Sequence, residues 1–149
     1  MREVRMLPPE RGESVKREFD RRGYVAVRSF LDAGEVEEMR AQVARYLTEV
    51  APLIPPRDVY REVPGDERSI KQLVRMNRYD DYFAALLSGG RFVELAEQLL
   101  GGPAVGRNIQ WFNKPSGLSR ATPPHQDGFY LMLEPNEAVT MWLALDEDT

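Results

Sequence analysis

Residues 104–115 read AVGRNIQWFNKP, residues 125–133 read HQDGFYLML, and residues 138–148 read AVTMWLALDED. All three segments are rich in aromatic and β-branched side chains, and Pro, Gly and Asn separate them, a pattern typical of extended chain joined by turns. We therefore predict that the back part of the chain, residues 104–149, consists mainly of strands.

The front part, residues 1–103, has the pattern of helices instead. Asp32 followed by Glu35 resembles a capping box, in which each residue bonds the backbone N–H of the other at a helix start. Apolar residues then recur at helical spacing, namely Val36, Met39, Val43, Leu47 and Val50. This spacing predicts an amphipathic helix whose apolar stripe packs in the core rather than against a partner.

Other local signals extend this interpretation. Ser14 is a possible N-cap for a short helix with Val15 and Phe19 on one face, and Gly23 is suited to end it in the left-handed conformation. The run YVAVRSF that follows has the composition of a strand. The remaining predictions are a strand within 70–76 and helices over 82–87 and 92–100, with Gly101 and Gly102 ending the last one.

Helices followed by strands predict an α+β fold, with helices packed on one side of an antiparallel sheet system. A length of 149 residues suits one domain. With 20 basic and 24 acidic residues the net charge is -4, so the composition excludes a broad basic field for nucleic acid or an anionic membrane. The predicted partner is a small molecule. The absence of an apolar signal core or spanning segment predicts a soluble, cytoplasmic protein, and the oligomeric state stays open.

The sequence contains no cysteine and one histidine, His125, which lies two residues before Asp127. A metal ion must therefore be held by histidine and carboxylate ligands. On a strand, residues i and i+2 point to one face about 6.5 to 7 Å apart, so both side chains can reach one ion, while Gln126 points away. Histidine and a carboxylate are two members of the facial triad that holds Fe(II), although a lone histidine in a strand is more often simply hydrogen-bonded.

The segments around this pair resemble the phytanoyl-CoA dioxygenase family. The resemblance is carried by Asn113-Lys114-Pro115, by TPPHQDGFY with Tyr130, by the Trp-containing run of residues 139–149, and by GYVAVRSFLDAGEVEEMR near the start. It covers residues 15–149, and the order of the blocks is more specific than any single block. It implies N-terminal helices packed on a double-stranded β-helix, or jelly roll, whose barrel is incomplete in this chain.

The resemblance also implies a function, namely hydroxylation of a small organic substrate by O₂, coupled to decarboxylation of the co-substrate 2-oxoglutarate to succinate. His125 and Asp127 match the first two ligands of Fe(II) in the family. Lys71 matches a lysine that reaches 2-oxoglutarate, the alternative being a solvated strand residue. Gln110 falls on a strand that lines the co-substrate pocket, where the family often has an apolar residue.

Three aromatic residues complete the predicted site. Phe129 and Tyr130 are expected to shape the mouth of the substrate pocket, and Trp142 to lie in the barrel wall beside it. For all three the alternative is ordinary core packing, which for Trp142 is the more common role of an aromatic residue in a sheet.

In the family, the pattern continues beyond the segment that matches residues 139–149, with a second histidine and an arginine that pairs with 2-oxoglutarate, and these 149 residues do not include that part. We therefore expect a truncated oxygenase that is inactive alone. The alternative is a degenerate member that acts as a binding or interaction module. A hydrolytic metal enzyme is disfavoured, because Glu134 lies too far along the loop to serve as a general base. The substrate stays open, because members of one fold act on many small molecules.

Overall fold

A computed structural model describes residues 9–114 and 123–146 of the chain. Internal contacts divide the chain into two compact units. Unit 1 contains the described parts of 1–36, 88–106 and 126–149, and unit 2 those of 37–87 and 107–125. Each unit thus combines segments that are distant in sequence. No helix in the described ranges has both the length and the apolar character needed to cross a bilayer.

The described residues contain both helices and short strands. The α-helices are α1 (Pro9–Arg22), α2 (Ala33–Arg45), α3 (Asp81–Leu87), α4 (Arg91–Leu100) and α5 (Asp127–Leu131). The strands are β1 (Val59–Arg61), β2 (Ile70–Leu73) and β3 (Trp111–Phe112). A π-helical turn, Tyr46–Val50, continues α2, and short 3-10 turns occupy Ala51–Leu53, Pro56–Asp58, Glu67–Ser69 and Met76–Arg78.

The core of unit 1 lies between α1 and α4. Val15, Leu95 and Leu99 are buried there. Partly buried apolar residues pack around them, namely Phe19, Val25, Val27, Phe30, Val139 and Met141. The predicted pairing of Val15 and Phe19 on one helix face is confirmed, and the core extends to residues 139 and 141, which lie far along the chain.

The start of α2 is held by the predicted capping box. The backbone N–H of Glu35 donates to Asp32 Oδ1 at 2.9 Å, and the backbone N–H of Asp32 donates to Glu35 Oε2 at 2.8 Å. The Arg91 guanidinium binds the Glu35 carboxylate with both terminal nitrogens and also donates to the Phe30 carbonyl at 2.7 Å. A local cap is thereby joined to α4, 56 residues along the chain.

Unit 2 contains a three-stranded antiparallel sheet with the order β1-β2-β3. Val59 pairs with Leu73, and Leu73 pairs with Trp111, so one row of neighbours crosses all three strands. Val59 and Leu73 are buried on one face, whereas Tyr60 and Phe112, from the next row, are exposed on the other. The sheet therefore has a core face and an open face.

A buried carboxylate, Asp58, fixes the ends of these strands. Its side chain is 0% exposed and accepts hydrogen bonds from the Arg75 guanidinium and the Tyr79 hydroxyl. The bond from Arg75, helped by the one from Tyr79, holds the pKa of Asp58 below its ordinary value, although burial acts in the opposite direction. Arg75 itself adopts a left-handed conformation, with φ 57°, and its backbone N–H donates to Asn108 Oδ1 at 2.9 Å.

Several local predictions are confirmed. α3 and α4 match the helices predicted over 82–87 and 92–100, β2 lies within the strand predicted over 70–76, and Met39 and Val43 of α2 are buried. Gly23 and Gly101 end α1 and α4 with φ values of 76° and 78°, in the left-handed region where glycine has no steric penalty.

Two predictions in the front part are wrong. Ser14 does not cap α1, which begins five residues earlier at Pro9, where the missing N–H of proline costs nothing, and has Glu10 in its first turn. The run YVAVRSF is not a strand. Its Val25, Val27 and Phe30 pack against the α1–α4 core instead of pairing with a neighbouring strand. A composition typical of strands is therefore not sufficient to form one.

The back part contains less strand than predicted. Of residues 125–133, those from Asp127 to Leu131 form α5, which ends where Met132 takes a left-handed φ of 50°. Residues 138–146 include no regular strand, and in 104–114 only β3 is one. The described fold is a mixture of helices with a small, unclosed antiparallel sheet. The jelly roll stays a prediction, as does a single domain, and residues 115–122 and 147–149 of the predicted back part lie outside the described residues.

The capping box predicts the effect of Asp32→Ala. The substitution removes the side chain that accepts the Glu35 N–H, so we expect the free energy of unfolding to fall by about 1 kcal/mol, measured by urea unfolding followed by circular dichroism. Glu38→Ala, at an exposed position of the same helix, is the control and should change stability by less than about 0.5 kcal/mol. Equal effects of the two substitutions would show that the cap is not stabilising.

The Asp58 cluster predicts a pH dependence. A depressed pKa in the folded state means that this carboxylate stabilises the fold above its unfolded-state pKa, about 3.9, and that the contribution is lost as pH falls through the lower folded-state value. Asp58→Asn should lower the free energy of unfolding by about 2 kcal/mol near neutral pH, because it removes the charge from the hydrogen bond with the partly exposed Arg75. It should also flatten the acid limb of a plot of stability against pH. Glu49→Gln, exposed in the same unit, should leave both unchanged, and parallel acid limbs for Asp58→Asn and wild type would contradict the assignment.

Candidate metal centre

His125 is exposed and lies in the last described stretch of unit 2. Its Nδ1 is 2.9 Å from the Pro123 carbonyl oxygen. Because a carbonyl oxygen only accepts hydrogen bonds, this contact requires a proton on Nδ1, so in the neutral ring Nε2 carries the lone pair. A metal-binding imidazole commonly has this tautomer, with its other nitrogen donating to a backbone carbonyl or a carboxylate.

Asp127 is the first residue of α5, in unit 1. The hydroxyl Oγ1 of Thr140 donates to its Oδ2 at 3.0 Å. The carboxylate is exposed at the surface of its unit. Gln126, directly before it, is extended, with φ -120° and ψ 123°, so helical geometry begins only at Asp127. The strand predicted to carry His125 and Asp127 on one face is therefore wrong, because Asp127 starts a helix.

The two predicted co-substrate residues both lie in unit 2. Lys71 is in β2, and its Nζ is 3.5 Å from the Glu62 carboxylate. Gln110 precedes β3, and its Oε1 accepts a hydrogen bond of 2.7 Å from Gln72 Nε2. Each of the two side chains thus has a polar partner within the unit, which for Lys71 is already an anionic carboxylate.

The three aromatic residues are not in a core. Phe129, Tyr130 and Trp142 are 79%, 69% and 74% exposed. The rings of Phe129 and Tyr130 meet edge to face, with centroids 5.4 Å apart. Trp142 lines an open pocket of about 390 Å³ in unit 1, beside Val139 and Met141. The core alternative is therefore wrong for all three.

Sequence reasoning missed Thr140, which contacts Asp127 from 13 residues away. In the structure, exposure alternates along the last segment: Val139 and Met141 are half-buried, and Thr140 and Trp142 are exposed. This alternation shows which side chains of the segment face away from the core, although nothing in the sequence specifies the Asp127 contact.

The donor atoms fit two positions of an iron site. An imidazole and a carboxylate belong to the ligand set that Fe(II) takes in facial triads. Within residues 9–114 and 123–146, no group of three or more His, Cys, Asp or Glu side chains is arranged to hold a metal ion. His125 and Asp127 stay two predicted ligands, and the described residues do not contain a complete triad.

Comparison with known proteins gives one result. The family model described as phytanoyl-CoA dioxygenase (PhyH) matches residues 19–149. Comparison with curated protein sequences and with solved structures finds no significant match. The match spans most of the chain and includes His125, Asp127 and the segments predicted to surround them. The chain therefore belongs to the phytanoyl-CoA dioxygenase family.

Proposed function

We propose that the protein is an Fe(II)- and 2-oxoglutarate-dependent dioxygenase that hydroxylates a small organic substrate and converts 2-oxoglutarate to succinate and CO₂. Membership of the family supports a dioxygenase-type oxidoreductase. The observation that carries the iron proposal is an imidazole and a carboxylate, His125 and Asp127, two positions apart in a chain that matches the family over residues 19–149. The proposal includes the family's jelly roll and a cytoplasmic location.

Bound iron supplies the activation of O₂ that amino-acid side chains cannot provide. His125 would coordinate the metal ion through Nε2. The hydrogen bond from its Nδ1 to the Pro123 carbonyl fixes both the tautomer and the plane of the ring. The task of Asp127 is to add negative charge, which offsets part of the charge of the cation.

Lys71 is proposed to bind a carboxylate of 2-oxoglutarate. An ammonium is a compact point charge with three donors, suited to an anionic ligand. Its Nζ lies 3.5 Å from the Glu62 carboxylate, so this position already pairs with a carboxylate. Glu62 would therefore compete with 2-oxoglutarate for Lys71. Gln110 is proposed as a polar contact, because its amide keeps donors after its oxygen has accepted from Gln72.

The exposed aromatic residues are proposed to contact the substrate. Phe129 and Tyr130 lie two and three residues after Asp127, so a substrate held near the metal would lie close to their rings. Rings of this size can cover a small organic molecule and exclude water from the reacting atoms. Trp142 is assigned to the same role.

A second candidate is a binding module without turnover. In it, His125 and Asp127 would hold an ion without a third protein ligand, whereas the facial triad uses two histidines and a carboxylate. Two protein ligands leave the geometry of an ion less restricted, so metal binding should be weak. The two candidates share the metal site and differ in turnover.

The metal site is tested by the broadening of amide NMR signals with Mn(II), a probe that detects weak binding. In the 149-residue chain we expect the signals of Gln126 and Gly128 to broaden selectively. His125→Ala and Asp127→Ala should each abolish the selective broadening, because each removes half of the protein ligands. Glu137→Ala removes an exposed carboxylate from the same region and should leave the broadening unchanged.

Retained broadening in His125→Ala would contradict the proposed metal site. Turnover then tests the dioxygenase in a chain that does bind metal. Succinate formed from 2-oxoglutarate with Fe(II), and lost in His125→Ala, supports the dioxygenase and contradicts the binding module. Binding of Mn(II) and 2-oxoglutarate without succinate agrees with the binding module and with the expected inactivity of these 149 residues alone.

Substitutions of Lys71 and Glu62 test the co-substrate contact. Lys71→Ala should raise the Kd for 2-oxoglutarate in the presence of Mn(II) by about tenfold, since a charge-assisted hydrogen bond contributes about 1.5 kcal/mol or more. Glu62→Gln should lower the same Kd by removing the competing carboxylate. Lys16→Ala, which removes a lysine paired with Asp20 on α1, is the matched control and should have no effect.

Isothermal titration calorimetry measures all three dissociation constants. A Kd that is equal in Lys71→Ala and wild type would assign Lys71 to its ion pair with Glu62 alone. It would remove Lys71 from the proposed site without affecting His125 and Asp127.

A further inference from the structure

Two close contacts fold the chain back onto the start of α5. Thr140 Oγ1 donates to Asp127 Oδ2 at 3.0 Å. Next to it, the Asn136 amide lies so close to Gly128 that a Cβ added there would be 2.6 Å from Asn136 Oδ1. Asn136 and Thr140 thus lie next to two successive residues of α5, Gly128 and Asp127. The loop that follows α5 and contains Pro135 brings them close to the proposed metal ligand Asp127.

The core of unit 1 holds Thr140 in place. Its neighbours Val139 and Met141 are half-buried and pack against the cluster of Val15, Leu95 and Leu99. Because side chains alternate along an extended segment, Thr140 is turned to the exposed side. Its hydroxyl is therefore attached to a backbone segment that is anchored on both sides.

We infer that Thr140 is a positioning residue for Asp127, an inference that rests on the proposed metal site. A hydrogen bond to Oδ2 restricts the exposed carboxylate to one orientation before any cation binds. Partners of this kind keep a ligand in the geometry that the metal needs, and their loss commonly costs about 10- to 100-fold in affinity.

The chemistry of the donor suits this role. A hydroxyl is neutral, so its hydrogen bond orients Asp127 without cancelling the negative charge that a cation would bind. Asp58 illustrates the contrast, since its charge is neutralised by the Arg75 guanidinium and serves the fold. A donor that orients without neutralising is what a carboxylate ligand requires.

The inference is tested with Thr140→Val, Thr140→Ala and Thr140→Ser in the 149-residue chain, again with Mn(II) as the probe. The quantity measured is the Mn(II) concentration that half-broadens the amide signals of Gln126 and Gly128. Valine keeps the shape of threonine and alanine shortens it, but both lack the hydroxyl, so each should raise this concentration by about tenfold. Serine keeps the hydroxyl and should stay within about twofold of wild type.

Asp127→Asn and His125→Ala separate a failure of this inference from a failure of the proposed function. If neither changes the broadening, or if wild type shows none, the metal site itself is wrong and the inference falls with it. If both abolish the broadening while Thr140→Val and Thr140→Ala bind Mn(II) like wild type, the site stands and the role of Thr140 is overturned.

Circular dichroism of the same variants separates positioning from folding. Since Thr140 is exposed, Thr140→Val and Thr140→Ala should keep the spectrum and melting temperature of wild type while Mn(II) binding weakens. Unfolding of both hydroxyl-free variants would assign Thr140 to the stability of unit 1 and overturn the inference. A loss of affinity in Thr140→Ser equal to that in Thr140→Val would also overturn it, because the hydroxyl would then not be the group that acts.

Discussion

The buried carboxylate of Asp58 is the constraint on which unit 2 depends. An ion with 0% exposure is stable only when it is paired and hydrogen-bonded, and Arg75 and Tyr79 satisfy it from one short stretch of chain. The same pairing explains why Arg75 tolerates a left-handed backbone, which costs an ordinary residue about 1 kcal/mol or more. Its backbone N–H is also bonded to Asn108, so one residue joins the end of β2 to the segment that leads into β3.

The position of Lys71 follows from that arrangement. Lys71 lies in β2, whose end is fixed by the Asp58 cluster, and its carbonyl accepts the Asn113 N–H at 2.8 Å beside β3. Gln72, its neighbour, reaches across to Gln110. The two residues proposed to bind 2-oxoglutarate therefore lie in β2 and directly before β3, and a weakened Asp58 cluster would disturb their spacing without touching either of them.

What the sequence predicts correctly is local. Examples are the reciprocal hydrogen bonds of Asp32 and Glu35 and the left-handed glycines at 23 and 101. Each involves residues only a few positions apart, so it can be predicted from a short stretch of sequence. The strand predicted over YVAVRSF failed because a strand exists only with a partner, and its apolar residues are buried against helices instead. The bonds of Arg91 to Glu35 and of Arg75 to Asp58 join residues 56 and 17 positions apart, and no local pattern specifies them.

The candidate site divides in the same way. The order of blocks in the sequence nominates His125 and Asp127, whereas the groups that hold them, the Pro123 carbonyl and the Thr140 hydroxyl, are seen only in the structure. Both proposed ligand side chains are exposed, and fixing an exposed side chain costs about 0.5 to 1 kcal/mol. A neighbour that orients a ligand side chain in advance removes part of that entropy cost from the binding of a cation. In the proposed site, the Pro123 carbonyl and the Thr140 hydroxyl would act in this way on His125 and Asp127.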